Sequence, residues 1–291
     1  MKKTLVLLSS SLALWGCAAG SDTNTTGTST YTNYTTGSGG SAGTGGSGGA
    51  TGCVPNHDQK IDASELQPVF DVAASYFVSS GTVPVNLAGT DEGGTLVWDF
   101  SQSYPGGAKT LSASPITGKW FEPQFPGGQW VSPFDDETLA VYSNDDQGIY
   151  LHGLASVEAP PAGGDAKTLF VYDTKVTVYQ FPLTKGMTWV SIGTVPAKGY
   201  RWNGLLHSGS HTYKVTDDGV GTLKLPSSTT LTDVHRIRTQ VLVHPNSGAD
   251  VTTRQTGFVY ECLGEVVRAT GAVDEPNEDF NPAAQVRRLV F

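Results

Sequence analysis

The sequence predicts a mainly β protein with little helix, and three observations support this class. Only 15% of the 291 residues are charged while Gly and Pro are abundant, which is typical of extracytoplasmic β proteins. Short alternating runs of polar and apolar residues are separated by Gly, Pro and Asp turns. Helical patterns are short, and Ala63–Leu66 and Pro282–Val286 are expected to form no more than turns.

Alternation with a period of two identifies the strands, because successive side chains of a strand point to opposite faces. The clearest such segments are Leu96–Phe100, Leu169–Tyr179 and Val234–His244. In the last of these, Ile237 shares a face with Val241 and Val243. We expect this face to form the core together with Trp98 and Phe100.

The N-terminal segment has the features of an export signal. A short basic start and an apolar run of about ten residues precede Leu14-Trp15-Gly16-Cys17. The pattern resembles the signal peptide and lipobox of bacterial lipoproteins. This resemblance implies that residues 1–16 are removed, that Cys17 is acylated and inserted into the bilayer, and that Ala18 directs the protein to the outer membrane. The alternative is an ordinary cleaved signal that happens to contain a cysteine.

The domain organisation follows from a change in composition near residue 53. Residues 18–52 consist almost entirely of Gly, Ser, Thr, Ala and Asn, which cannot bury enough apolar surface to fold. Cys17 and this segment together, residues 17–52, are expected to form a lipid-anchored disordered tether. As a random coil it would span about 30–35 Å. Residues 53–291 are predicted to form the β domain.

Two cysteines remain once Cys17 is lipidated. An even number of cysteines in an oxidising compartment favours a disulfide, here between Cys53 and Cys262. Two free buried thiols are the alternative. The sequence contains no C-x-x-C motif, so a thiol–disulfide enzyme is not expected.

Charge and motifs exclude several classes of function. The net charge is −9 and basic residues are never more than two in a row, so we expect no nucleic-acid partner. Outside the Gly- and Ser-rich residues 18–52, where glycine repeats match such patterns by composition, the sequence contains no phosphate-binding loop, no dinucleotide fingerprint with a following helix and no G-x-S-x-G elbow. We therefore predict a protein without a cofactor and without catalytic activity.

Three short motifs resemble those of secreted bacterial β proteins of uncharacterised function. They are Trp98-Asp99-Phe100-Ser101, Phe181-Pro182-Leu183 with Gly186 and Trp189, and Asp218–Pro226 followed by Val234–Arg238, Tyr260 and Gly264–Arg268. The resemblance covers roughly residues 69–269 and implies a single curved antiparallel sheet, a half-barrel or open sandwich-like fold similar to periplasmic lipoprotein carriers. It implies no catalytic residue. Cys53, Cys262 and the segment Pro160–Gly164 depart from the pattern.

The candidate ligand surface combines aromatic and basic residues. Trp120, Phe121, Phe125 and Trp130 lie in a Pro- and Gly-rich segment and are candidates to line an apolar groove or a carbohydrate platform. The alternative is that these rings plug one open side of the curved sheet. Arg236 and Arg238 belong to the same candidate surface, because they lie opposite Ile237 and are placed to pair with carboxylates.

Metal binding has only weak candidates. His207 and His211 are four residues apart, but Ser-Gly-Ser between them predicts a hairpin tip rather than a chelating helix. The acidic segments lack the spacing of an EF-hand, so we expect turn carboxylates rather than Ca²⁺ ligands. These segments are Asp135-Asp136, Asp145-Asp146, Asp217-Asp218 and Asp274–Asp279.

The sequence therefore predicts a non-enzymatic binding or structural module on a lipid-anchored tether in the cell envelope. Its expected partners are the bilayer, through Cys17, and an apolar ligand or an envelope protein or polysaccharide. The alternative is a hydrolase of envelope polymers with a metal site near His207 and His211. A purely structural surface module is the third interpretation.

Overall fold

A computed structural model describes residues 53–70 and 72–291. The predicted signal segment, the acylation of Cys17 and the tether lie outside these residues. Within the described ranges, no helix has the length and apolarity that a membrane crossing requires.

Strands account for nearly all the regular structure of the described residues, and the two helical segments are single 3₁₀ turns at Ala63–Glu65 and Glu122–Gln124. The strands are β1 (Lys60–Ile61), β2 (Ala74–Ser79), β3 (Thr90–Glu92), β4 (Thr95–Asp99), β5 (Gly106–Leu111), β6 (Ser114–Pro115), β7 (Trp130–Pro133), β8 (Thr138–Asp145), β9 (Gly148–Ser156), β10 (Leu169–Gln180), β11 (Leu183–Thr184), β12 (Thr188–Val195), β13 (Arg201–Trp202), β14 (Leu205–Leu206), β15 (Gly209–Lys224), β16 (Thr230–Pro245), β17 (Val251–Tyr260), β18 (Gly264–Thr270) and β19 (Gln285–Leu289).

The strands of the described residues form three separate sheets. The small sheet has seven strands in the order β14-β13-β10-β9-β8-β7-β6. The large sheet has ten, in the order β3-β4-β15-β16-β17-β18-β19-β2-β5, with β12 pairing beside β15. β1 and β11 form a separate pair. Most neighbours are antiparallel, while β4 runs parallel to β15.

The mainly β prediction is confirmed, but the strands are not united in the single curved sheet that the resemblance implied. A single sheet with apolar residues on both faces would leave one apolar face exposed to water, and a second layer of strands covers that face. The main core lies between the two sheets. Val215 and Ile237 from the large sheet meet Tyr142 and Phe170 from the small sheet there.

A second core covers the opposite face of the large sheet. Trp98 and Phe100 pack edge-on against Phe258, with ring centroids 5.1 and 5.2 Å apart. The sequence-based expectation that these two residues join Ile237 in one core is therefore wrong. Phe258 is the cross-strand partner of Arg236, the neighbour of Ile237, so alternation places it on the other face.

The predicted disulfide between Cys53 and Cys262 is confirmed. Cys262 lies in the turn between β17 and β18, and its N–H donates to Glu65 O at 3.1 Å. In the same turn Glu261 accepts hydrogen bonds from the backbone N–H groups of Asn56 and His57, at 2.6 and 3.0 Å. The start of the domain is thus fastened covalently and by hydrogen bonds to one end of the large sheet.

Glu265 forms a buried ionic cluster with two arginines. Its carboxylate binds Arg268 on the same strand and Arg287 on β19, at Nε–Oε2 2.9 Å and Nη2–Oε1 2.6 Å respectively. Tyr76 donates its hydroxyl to the Glu265 carbonyl oxygen at 3.1 Å. Burial raises the pKa of Tyr76 to about 12, and burial lowers the pKa of the Arg268 guanidinium. The cluster is therefore largely shielded from water.

Replacing Cys53 and Cys262 together by Ser should lower the free energy of unfolding by about 5 kcal/mol, because the bridge closes a very long loop of the unfolded chain. Urea unfolding of the full chain under non-reducing conditions measures this loss. Cys17→Ser is the matched control and should leave the midpoint unchanged. An unchanged midpoint in the double variant would show that the bridge contributes nothing to stability.

Glu265→Gln should destabilise the fold by about 3–5 kcal/mol, because it removes the carboxylate that compensates two buried guanidinium groups. The control is Glu92→Gln, which breaks the exposed ion pair with Lys224 (2.9 Å). That surface pair should be worth less than about 1 kcal/mol. Equal losses in the two variants, measured by urea unfolding, would contradict a structural role for the cluster.

Candidate functional site

The predicted aromatic segment is folded into the interior. Phe121 and Phe125 are buried on the outer face of the small sheet, where Trp120 packs edge-on against Phe121 at a centroid distance of 5.4 Å. Their neighbours there are Ile116, Val131, Val141 and Ala155. Trp130 points to the other face and stacks on Tyr142 at 4.5 Å. These positions favour the alternative that the rings close one side of the sheet.

Arg236 and Arg238 share one carboxylate on the face of the large sheet that lies away from the main core. Asp218 accepts from Arg236 Nε at 2.6 Å through one oxygen and from Arg238 Nε through the other. Arg236 is buried and its guanidinium lies 5.2 Å from the Trp98 ring centroid. Arg238 also donates to Asp279 Oδ1 at 2.5 Å. Arg236 is thus a packing residue, whereas Arg238 borders the surface.

The outward face of the large sheet is open where β12, β15, β16 and β17 lie side by side. Cross-strand partners share a face in antiparallel pairs, so the register identifies the outward residues. We call them the open face: Thr188, Val190, Ile192, Thr194, Ser210, Thr212, Lys214, Thr216, Arg238, Gln240, Leu242, His244, Thr252, Arg254 and Thr256. Val190 and Ile192 are 59% and 52% exposed, so apolar groups are accessible among polar ones.

A polar cleft of about 190 Å³ lies on the open face, next to the loop that precedes β19. Lys214, Gln240 and Arg254 form one row across it on three adjacent strands. Arg254 donates to Glu275 O at 2.9 Å and lies 3.7 Å from Glu278 Oε1. Among the described residues, Lys214 has no carboxylate within ion-pair distance. The row therefore offers an amide and two cationic groups to a ligand, and the carboxylates that also line the cleft, Asp218 and Glu278, are paired with its arginines.

A serine, a histidine and an aspartate are also neighbours at one end of the open face. Ser210 is the cross-strand partner of His244, whose Nδ1 lies 2.6 Å from Asp250 Oδ1. Sequence analysis missed this constellation, because only the register of β15 and β16 brings the three together. In the described part of the chain, no hydrogen bond joins the Ser210 hydroxyl to His244. The serine is therefore not activated in this arrangement.

His207 and His211 meet inside a ring of aromatic side chains. Their Nε2 atoms are 2.9 Å apart, and His211 Nδ1 lies 2.6 Å from the Tyr172 hydroxyl. Phe170 and Trp202 flank the pair, at centroid distances of 5.2 and 5.1 Å from His207 and 5.6 and 5.8 Å from His211. The sequence-based expectation that both histidines are polar residues of a hairpin tip is wrong. His211 lies within β15, which begins at Gly209, and both imidazole rings are buried.

Burial keeps both imidazoles neutral. Desolvation lowers the pKa of His207 to about 4 and that of His211 to about 3, where the charge of His207 adds to the effect. Two neutral rings facing each other through Nε2 share one proton, which one of them donates. One Nε2 of the pair therefore carries a hydrogen and the other offers a lone pair.

Three of the four acidic segments behave as turn and ion-pair residues in the structure. The expectation of turn carboxylates is wrong for Asp217 and Asp218, which lie within β15. Asp274 Oδ1 accepts the Thr252 N–H at 2.8 Å, and Asp145 Oδ1 accepts the N–H of Gln147 at 2.9 Å. Among the described residues, 53–70 and 72–291, no three His, Cys, Asp or Glu side chains are grouped so that they could hold a metal ion. The carboxylates of these segments thus stabilise turns, Asp274 next to the open face and Asp145 between β8 and β9 of the small sheet.

A buried Asp217–His235 pair was not anticipated from the sequence. Asp217 Oδ2 and His235 Nδ1 are 2.6 Å apart, and both side chains are at most 1% exposed. Their other polar atoms, Oδ1 and Nε2, have no hydrogen-bond partner within the described ranges. The position of Asp217 two residues after Val215, on the core face, is the one signal in the sequence that indicates its burial.

Comparisons with protein-family models, with curated proteins and with solved structures return no match for this chain. Its candidate sites are therefore interpreted from geometry alone.

The histidine pair should make the free energy of unfolding decrease as the pH is lowered. Because both folded pKa values lie below the unfolded value of 6.5, the unfolded chain takes up the protons first, and stability present above pH 6.5 is lost as the pH falls. The loss should reach about 2 kcal/mol per histidine at pH 5.

Urea midpoints between pH 7 and pH 5 measure this effect. The double variant His207→Gln/His211→Gln should show a flatter dependence than the wild type. Parallel curves for the wild type and the double variant would refute the assignment.

Proposed function

We propose that this protein is an envelope lipoprotein whose β domain binds an acidic polysaccharide of the envelope through the open face. Cys17 supplies the lipid anchor, residues 18–52 the tether and the large sheet the binding surface. The observation that carries the proposal is an accessible sheet face whose reverse side packs on the main core.

The compartment is supported by the disulfide. Bonds such as Cys53–Cys262 persist in oxidising compartments and are rare in the cytosol. The lipobox-like segment ending at Cys17 belongs to the same compartment. Two independent features of the chain thus favour an extracytoplasmic location.

The position of the anchor favours an outward-directed binding surface. The tether enters at Cys53, which is bonded to the turn after Tyr260 at one end of β17. Thr252, in the same strand, belongs to the open face. Eight residues separate Thr252 from Tyr260, or roughly 25 Å at the rise of a β-strand. The far end of the open face therefore lies well away from the attachment.

The size and chemistry of the open face favour a polysaccharide. Three spacings of about 4.8 Å between the four strands and six residue steps along each strand give a flat patch of roughly 15 by 20 Å, which one extended glycan chain can cross. Lys214 and Arg254 attract carboxylate or phosphate groups, and Gln240 with the surrounding threonines can hydrogen-bond sugar hydroxyls. An extended acidic glycan meets these requirements.

The double variant Lys214→Glu/Arg254→Glu should abolish binding to purified acidic envelope polysaccharide, because repulsion replaces attraction in the cleft. Calorimetric titration of the full chain measures this loss. Lys198→Glu is the matched control for the loss of one surface lysine, and it should bind as the wild type does. Raising the salt concentration should weaken wild-type binding.

Two results would overturn the proposal. One is equal affinity of the wild type and the double variant. The other is release of acetate or shortened chains from the polysaccharide that is lost in Ser210→Ala, which would assign a hydrolase at Ser210, His244 and Asp250 instead.

A further inference from the structure

We propose that His207 and His211 form a two-coordinate binding site for Cu(I). This site is separate from the open face and does not depend on polysaccharide binding. It uses the two Nε2 atoms as ligands and the surrounding aromatic rings as its enclosure.

The coordination geometry carries the proposal. The two Nε2 atoms face each other at 2.9 Å with one proton between them. Once the hydrogen between them has moved to Nδ1 of its own ring, both Nε2 atoms offer a lone pair, and a monovalent metal ion can bind the two nitrogens in a linear arrangement. Two metal–imidazole bonds of about 2 Å require the nitrogens to lie about 4 Å apart, so the rings must separate by about 1 Å.

The edge position of His207 allows this movement. His207 follows β14, an edge strand of the small sheet, and its neighbour Leu206 is 72% exposed. His211 is held inside β15 and bonded to Tyr172. We therefore expect His207 to move and His211 to stay in place.

No proton has to leave the site when the metal ion binds. The Nε2–H bond and its hydrogen bond to the other ring break, an Nδ1–H bond forms on the ring that had carried the hydrogen, and two N–Cu bonds form at the Nε2 atoms. On His211, Nδ1–H then donates to the Tyr172 oxygen, which orients the ligand as outer-shell partners of metal-bound histidines do. The Tyr172 hydroxyl is 3.4 Å from that of Tyr213, toward which it can donate. The site gains one positive charge and needs no redox partner.

The surroundings select a monovalent ion with few ligands. Within the described ranges no third His, Cys, Asp or Glu completes a ligand set. Zn²⁺ requires four ligands and Cu²⁺ a tetragonal set, and both would place a double charge in an apolar enclosure. Phe170 and Trp202 present aromatic rings to a single positive charge, which their electron distribution attracts.

Cu(I) titration against the chromophoric chelator bicinchoninate tests the proposal. The full chain carries Cys17→Ser in every sample, so that its thiol does not bind copper. Ascorbate under nitrogen maintains Cu(I), and mass spectrometry verifies that the Cys53–Cys262 bridge is intact. The expected result is one Cu(I) per chain, with loss of this equivalent in His207→Gln and in His211→Gln. His244→Gln, at an exposed histidine, is the matched control and should retain it.

A second measurement does not rely on the variants folding. In the wild-type background, Cu(I) should shift the imidazole ¹⁵N signals of His207 and His211 and leave those of His244 in place, while Zn²⁺ should shift neither of the pair. Failure to compete with bicinchoninate, retention of Cu(I) in both histidine variants, or unchanged His207 and His211 signals would each overturn the proposal.

Discussion

The arrangement of the whole domain depends on a carboxylate held between two buried guanidinium groups. Glu265, Arg268 and Arg287 are 2%, 4% and 3% exposed. Each charge would cost several kcal/mol to bury alone, and the cost is offset only while the three stay in contact. Contacts within β18 and from β18 to β19 therefore hold the register of these strands. Tyr76 extends the same constraint to β2, the next strand of the large sheet.

The two halves of the large sheet differ in how many of their faces are covered. Toward β18 and β19 both faces are covered, one by the small sheet and the other by the second core around Trp98 and Phe258. Toward β12 only one face is covered, since Trp189 and Val195 point to the main core while Val190 and Ile192 point outward. The large sheet is thus covered on both faces at one end and open on one face at the other. The open end carries the surface that we propose for binding.

The predicted sites differ in how well local patterns described them. Arg236 and Arg238 were assigned to the correct face, because alternation along a strand is a local property. The aromatic segment was ambiguous, because a Trp in a Pro- and Gly-rich loop has the same sequence signature whether it covers a sheet or contacts a ligand. His207 and His211 were interpreted as turn residues, since Ser-Gly-Ser between them is typical of a hairpin tip. Their enclosure depends on Phe170 and Trp202, which come from other strands.

The sequence by itself determined the β class, the alternation that divides β16 into a core side and a polar side, and the pairing of Cys53 with Cys262. Each of these follows from residue type and spacing within short segments, or from counting cysteines. Only the tertiary structure decided that there are two layers instead of one curved sheet, that Ile237 and Trp98 belong to different cores, and which residues make up the open face. These outcomes depend on strand order and register between distant segments, which no local periodicity encodes.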